Sequence, residues 1–229
     1  MSRYLIPLYF LLALAEVYGE YTVTEPLILG TKPLLLTVLS LWFYLNSRPL
    51  QSRFSKLILA GLIFSIGGDT LLMFVEYGPK APSFFLLGLG SFLIAQTCYA
   101  IAFWTYPGAE DGDVRQKPLR ALPFLLYLTG IVGMLWSGIP GGMKVPVVIY
   151  AAAIVSMAAG AFNLRGLHRP EVFLGLMSGV ILFVLSDSLI AINKFGEPVP
   201  YARVLIMVTY LLGQYLIARN AADIRPEIQ

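Results

Sequence analysis

One cysteine, one histidine and few charges are spread over 229 residues, and each scarcity excludes something. Cys98 alone cannot close an internal disulfide, so the fold relies on no cross-link and the redox compartment is unmarked. A zinc site needs several converging His, Cys or carboxylate ligands. With His168 alone, beside Arg165 and Arg169, a histidine-rich membrane zinc hydrolase is excluded, and no metal or other cofactor is expected. Charged residues make up 13% of the chain, about half the soluble average of roughly 25%. The net charge of +3 is dispersed, so no nucleic-acid partner is expected. No connection is long enough for a soluble domain; the largest polar loop, Pro107 to Pro118, carries mixed charge and reads as solvated linker.

What is abundant is apolar. Hydrophobic residues make up 58% of the chain. A bilayer core of about 30 Å needs about 20 apolar residues per helix. Eight segments meet that length, some marginally: residues 4–18, 26–45, 56–75, 83–105, 120–137, 145–164, 172–193 and 199–218. The first follows Met1-Ser2-Arg3 and has Ala13-Leu14-Ala15, as a signal peptide would; it is read as a retained first span. Turn residues punctuate the connections, among them Pro49, Gly78-Pro79, Pro107-Gly108 and Pro170. The expected fold is therefore all-α: a polytopic membrane bundle of eight transmembrane helices forming a single domain over residues 1–229.

The basic residues orient this bundle. Arg3, Arg48, Arg53, Lys56, Arg115, Lys117, Arg120, Arg165, Arg169, Arg219 and Arg225 fall on one side, against Lys32, Lys80, Lys144, Lys194 and Arg203 on the other. By the positive-inside rule both termini are cytoplasmic. Tyr18, Tyr21, Trp42, Tyr44, Trp104, Tyr106 and Trp136 fall at helix ends, as interfacial belts do.

Two aspartates stand inside these spans in matching surroundings, Gly68-Asp69-Thr70-Leu71-Leu72 and Ser186-Asp187-Ser188-Leu189-Ile190. An aspartate at membrane depth costs roughly 2.5–3.5 kcal/mol even on insertion scales. At 1.5 Å per residue, Asp69 lies about 20 Å and Asp187 about 22 Å from the cytoplasmic edge. Lys32, counted inward from the opposite edge, falls at about 21 Å. Glu16 and Tyr150 count into the same outer layer, so polar side chains from five helices are expected at one depth. Both aspartates occupy the third helix of a set of four, which points to a parallel duplication of four plus four helices.

Two carboxyls sharing one cavity are driven to different protonation states, which supplies a general acid and a general base near neutral pH. Lys32 is placed to tune such a pair or to hold an anionic headgroup. Pro33, which follows it, removes the backbone bond to the carbonyl of Leu29 and is expected to kink the second helix. Thr70, Ser186 and Ser188 are candidates to orient the carboxyls, although hydroxyls also serve helix packing in membranes. Gly67-Gly68 reads as a close-packing device. Tyr150, Gln96, Asn193, Tyr210 and Gln214 are candidates to line the remaining polar pocket. Glu16 and Tyr150 also fit interfacial roles, and Gln96 and Gln214 fit helix crosslinks.

The chain resembles the YhhN family, bacterial and animal membrane proteins that include the lysoplasmalogenases. The resemblance runs over essentially the whole length. It rests on Thr31-Lys32-Pro33-Leu34, on the run from Phe64 through Gly67-Gly68-Asp69-Thr70 to Met73, and on Tyr150 with Met157. It continues in the run from Leu182 through Ser186-Asp187-Ser188 to Ala191, in Phe195, and in Tyr210 with Gln214. One departure stands out: family members often carry a histidine in helix four, about where this chain has Gln96 ahead of Tyr99. The resemblance implies a lysophospholipid substrate, a lysoplasmalogen, whose vinyl ether bond is hydrolysed to a fatty aldehyde and glycerophosphocholine or glycerophosphoethanolamine. Asp69 and Asp187 would be the catalytic carboxylates and Lys32 the phosphate-holding or tuning cation. Phe64, Met73, Phe74 and Phe183 are candidates for the alkenyl groove. Water and membrane lipids are the other expected partners. The short loops suit a bacterial cytoplasmic membrane; in a eukaryote the endoplasmic reticulum is the counterpart.

Two other classes share some of these features. A proton-coupled carrier also uses membrane carboxylates, but carriers commonly break helices at the midplane, whereas here polar residues gather in the outer layer. An intramembrane aspartyl protease also uses two aspartates. Ile66, however, replaces the first glycine of its Gly-x-Gly-Asp motif, and neither a Tyr-Asp dipeptide nor a Pro-Ala-Leu tripeptide is present.

Overall fold

The computed structural model describes residues 2–78 and 82–224. Nine α-helices occupy most of the described residues, with no strand among them. They are α1 (Ser2–Thr22), α2 (Glu25–Asn46), α3 (Arg53–Tyr77), α4 (Pro82–Trp104), α5 (Asp113–Gln116), α6 (Leu122–Leu135), α7 (Lys144–Asn163), α8 (Pro170–Phe195) and α9 (Ala202–Asp223). Seven stretches, one in each long helix from α2 to α4 and from α6 to α9, are long and apolar enough to cross a membrane. α1 is not among them; it carries Arg3, Glu16 and Glu20. Lys80 and Arg225, two of the basic residues used for orientation, lie outside the described residues.

Helix ends follow local chemistry. Ser52 caps α3 by accepting a hydrogen bond from the backbone N–H of Ser55 at 3.0 Å, which satisfies one of the orphan donors of the first turn. Pro26 and Pro170 sit in the first turns of α2 and α8, where a missing N–H costs nothing. Glu171 in the first turn of α8 and Lys194 in its last complement the helix dipole. Pro33 does not end α2, which continues as helix to Asn46.

The chain divides into two compact units, Met1–Tyr99 and Ala100–Gln229. In the first, α1 packs on α2 and α2 on α3, around the buried Tyr9, Ile28, Leu35, Leu36, Phe43 and Ile58. Gly67 and Gly68 let α4 approach α3 closely. A Cβ at Gly68 would stand 2.5 Å from the Phe92 ring, and one at Gly67 would stand 2.7 Å from Ser91 Oγ. Ser91 in turn donates to the carbonyl of Phe64 at 2.6 Å. The glycine pair thus has the packing role its sequence implies.

In the second unit α8 and α9 meet backbone to backbone. A Cβ on Gly179 would lie 2.9 Å from the Gly213 carbonyl oxygen, and one on Gly213 would lie 2.9 Å from that of Gly179. Asn163, fully buried at the end of α7, braces the polar connection after α4. Its Oδ1 accepts from the backbone N–H groups of Val114 and Arg115, both at 3.0 Å, and its Nδ2 donates to the carbonyl of Ala109 at 2.8 Å. The linker Pro107 to Pro118 is therefore ordered around one buried amide, where the sequence pointed only to solvation.

Candidate functional site

Asp69 sits on α3 in the first unit and is only 9% exposed. Thr70, next to it, returns its hydroxyl proton to the Ile66 carbonyl at 2.8 Å, the back-bond typical of helical threonine. Asp69 is one of three carboxylates whose charge acts on Lys32; the other two are on α1. Lys32 Nζ donates to Glu20 Oε1 at 2.8 Å and stands 3.6 Å from Glu16 Oε1. Thr31, also on α2, contacts both Glu16 Oε2 and the Leu27 carbonyl, the latter at 2.8 Å.

Glu16 is fully buried in this cluster, which its reading as an interfacial residue did not foresee. Glu20 was missed in the sequence, although it lies four residues beyond Glu16 and so on the same face of α1. Lys32 was expected to hold an anionic headgroup or to tune the aspartates; the structure engages it with Glu20 and Glu16. Gln96 lies fully buried on α4.

Asp187 sits on α8 in the second unit. The phenolic hydroxyl of Tyr150, on α7, donates to its Oδ2 at 2.7 Å. Ser188, the next residue, donates to the Val184 carbonyl at 2.5 Å and bonds to the hydroxyl of Tyr127 on α6. A serine has one proton to give. Since it goes to Val184, Tyr127 is the donor, and Ser188 is left with no free proton for substrate. Tyr127 stands alone in an apolar run, and no sequence signal marked it.

The other expected lining residues have structural partners. Ser186 is fully buried and donates across to the Ile206 carbonyl of α9 at 3.1 Å, which fastens two helices. Asn193 Oδ1 accepts from the backbone N–H of Val199 at 3.1 Å and shapes the turn between α8 and α9. Gln214 is fully buried on α9, one residue past the Gly213 crossing, and Tyr210 packs its ring against Phe183 with centroids 5.8 Å apart. Among the described residues no group of three or more His, Cys, Asp or Glu is placed to hold a metal ion.

These features define an all-helical membrane protein that sets carboxylates within its apolar helices and supplies each with polar partners. The YhhN family matches residues 27–221, and the chain belongs to that family. It is 31% identical to human lysoplasmalogenase TMEM86A over 201 residues, 85% of this chain and 78% of the relative. It is 29% identical to lysoplasmalogenase TMEM86B of Sus scrofa, over 87% of this chain and 78% of the relative. A lysoplasmalogenase of Mycobacterium bovis is 25% identical over 62% of this chain and 51% of its own length. No solved structure matches the chain.

Proposed function

We propose that this protein is a lysoplasmalogenase that cleaves the vinyl ether bond of a lysoplasmalogen by carboxylate acid–base chemistry. The observation that carries the reading is the likeness, over most of the chain, to proteins named lysoplasmalogenases in animals and mycobacteria. The two membrane aspartates, each with ionisable or hydroxyl partners in its own unit, supply the groups the reaction needs.

One carboxylic acid delivers its proton to the β-carbon of the vinyl ether, whose π electrons form the new C–H bond and leave an oxocarbenium ion. A carboxylate stabilises that cation and takes a proton from the water that attacks the α-carbon. As the hemiacetal collapses it gives up its hydroxyl proton, the C–O bond to glycerol breaks and the glycerol oxygen takes up a proton, so a fatty aldehyde and a glycerophospho-alcohol leave with no net consumption of protons. Glycosidases divide two carboxyls around a similar transition state. Asp69 and Asp187 are the proposed pair, and the engagement of Lys32 with Glu20 supports a tuning role for that lysine.

We propose α1 as an eighth span, with both termini cytoplasmic, a four-plus-four repeat and one membrane domain. Glu16 and Glu20 are turned inward on Lys32, whereas Tyr4, Leu8, Leu11, Leu14, Tyr18 and Tyr21 are exposed on the other face. That apolar stripe runs about 25 Å, with tyrosines at both ends as in an interfacial belt. The setting proposed for it is a bacterial cytoplasmic membrane.

The test is incubation of purified protein with choline- and ethanolamine-type lysoplasmalogens, with aldehyde detection and an ester-linked lysophospholipid as control. Aldehyde from the vinyl ethers alone is expected. Solute flux in liposomes without aldehyde release would replace this reading with a carrier.

A further inference from the structure

The hydrolase reading leaves open which aspartate carries the proton, and the bonding around α8 bears on that question. Asp187 receives a partner from outside its own helix: Tyr150 reaches from α7 and donates to Oδ2 at 2.7 Å. That separation is an ordinary O–H···O hydrogen bond, and such a bond is roughly twice as strong when the accepting oxygen is ionised. The adjacent hydroxyl cannot reverse the arrangement. Ser188 has spent its proton on Val184 and accepts a second phenol, that of Tyr127. Two tyrosines from two helices thus donate onto consecutive residues of α8. The turn carrying Asp187 is held from two helices, and its aspartate is offered a hydrogen bond to accept.

We infer that Asp187 works as the ionised carboxylate of the reaction, held in that role by Tyr150 as a positioning residue, with Tyr127 steadying the same turn through Ser188. Resting on the hydrolase reading, this gives Asp187 the oxocarbenium ion and the proton of the attacking water, and it leaves the delivery of the first proton to Asp69, whose neighbour Lys32 is already engaged by Glu20 and Glu16. Tyr150 keeps its own proton throughout. The proton that Asp187 accepts from water returns through solvent to Asp69, so the cycle closes without a co-reactant.

The experiment pairs infrared spectroscopy of the purified protein with pH–rate profiles. At neutral pH, Asp187→Asn is expected to leave the protonated-carboxyl C=O band of the wild type unchanged. Tyr150→Phe is expected to add such a band, and Asp187→Asn on top of Tyr150→Phe to remove it again. On lysoplasmalogen, Tyr150→Phe is expected to lower kcat about 10- to 100-fold, the weight of a hydrogen bond to a charged group. It should do so with little change in KM and with the acidic limb of the profile displaced to higher pH. Tyr127→Phe, acting one residue away, is expected to show a smaller displacement in the same direction. Loss of a protonated-carboxyl band in Asp187→Asn alone would overturn the assignment, because Asp187 would then be the proton holder; this comparison does not depend on Tyr150→Phe folding. An unmoved band pattern and unmoved acidic limb in folded Tyr150→Phe would make Tyr150 merely structural. Absence of aldehyde release by the wild type would defeat the hydrolase reading by itself, while the infrared comparison still decides the state of Asp187.

Discussion

Lys32 of α2 reaches Glu20 of α1 across 2.8 Å, and its side chain is only 12% exposed in doing so. Glu16, fully buried beside them, completes a charge cluster that binds the first helix to the second. Without that lysine, Glu16 and Glu20 would lose the ammonium they share at a buried helix interface.

Removing the lysine should therefore cost far more than a surface ion pair. Breaking a buried pair by deleting one partner typically costs about 3–5 kcal/mol, because the other charge is left uncompensated. Lys32→Met is expected to lower thermal stability in detergent by an amount of that order. Combining it with Glu20→Gln should restore part of the loss, since one stranded charge disappears. Wild-type unfolding of Lys32→Met would show that the cluster does not hold α1.

Asp69→Asn and Asp187→Asn keep shape and volume but remove the acid–base function. General acid–base assistance is worth roughly 10²–10⁴-fold, and each variant is expected to lose aldehyde release by a factor in that range. Thermal unfolding measured beside the assay separates chemistry from misfolding. A folded variant of either type with near wild-type turnover would remove that residue from the mechanism.

The helices and the two aspartates were legible because each is a local matter. A run of apolar residues reads as a span whatever it packs against, and a carboxyl such as Asp187 is anomalous in hydrocarbon before any partner is known. Tyr150 was legible by the same depth count that placed Asp187. What was not legible depends on which helix faces which. Glu20 gains its meaning from Lys32, twelve residues later on another helix. Ser186 looked like a site hydroxyl because nothing in its neighbours reveals the Ile206 carbonyl that takes its proton. Tyr127 meets Ser188 from 61 residues away, and no periodicity encodes that pairing.

The α8–α9 crossing predicts a sharp dependence on two glycines. At both Gly179 and Gly213 the atoms a Cβ would meet include backbone of the opposing helix within 2.9 Å, and backbone cannot rotate aside as a side chain can. Overpacking of this kind typically costs about 1–3 kcal/mol. Gly179→Ala and Gly213→Ala are expected to destabilise by about that much in thermal unfolding. Gly130→Ala on α6 is the control, because among the described residues a Cβ there would meet no atom of another element within 4 Å. There the higher helix propensity of alanine should leave stability unchanged or raised by up to about 1 kcal/mol. Equal effects at all three positions would mean that the crossing is not close-packed.

The single histidine predicts a pH dependence of stability. His168 lies in the connection between α7 and α8, with its ring edge-on to Tyr106 at a centroid distance of 4.8 Å. Its Nε2 is buried without a hydrogen-bond partner among the described residues. Burial pushes its pKa below the ordinary value of 6.5, because the imidazolium would lose water. In the unfolded chain the ring titrates near 6.5; in the folded chain it resists protonation to lower pH. Between those two values the unfolded state binds more protons, so stability falls as pH falls through that window and is flat above it. Unfolding midpoints of the wild type and of His168→Gln, compared from about pH 7.5 to about pH 5, should diverge as the pH drops, with the variant losing less. Parallel curves would show that His168 is solvated well enough to accept its proton in the folded state.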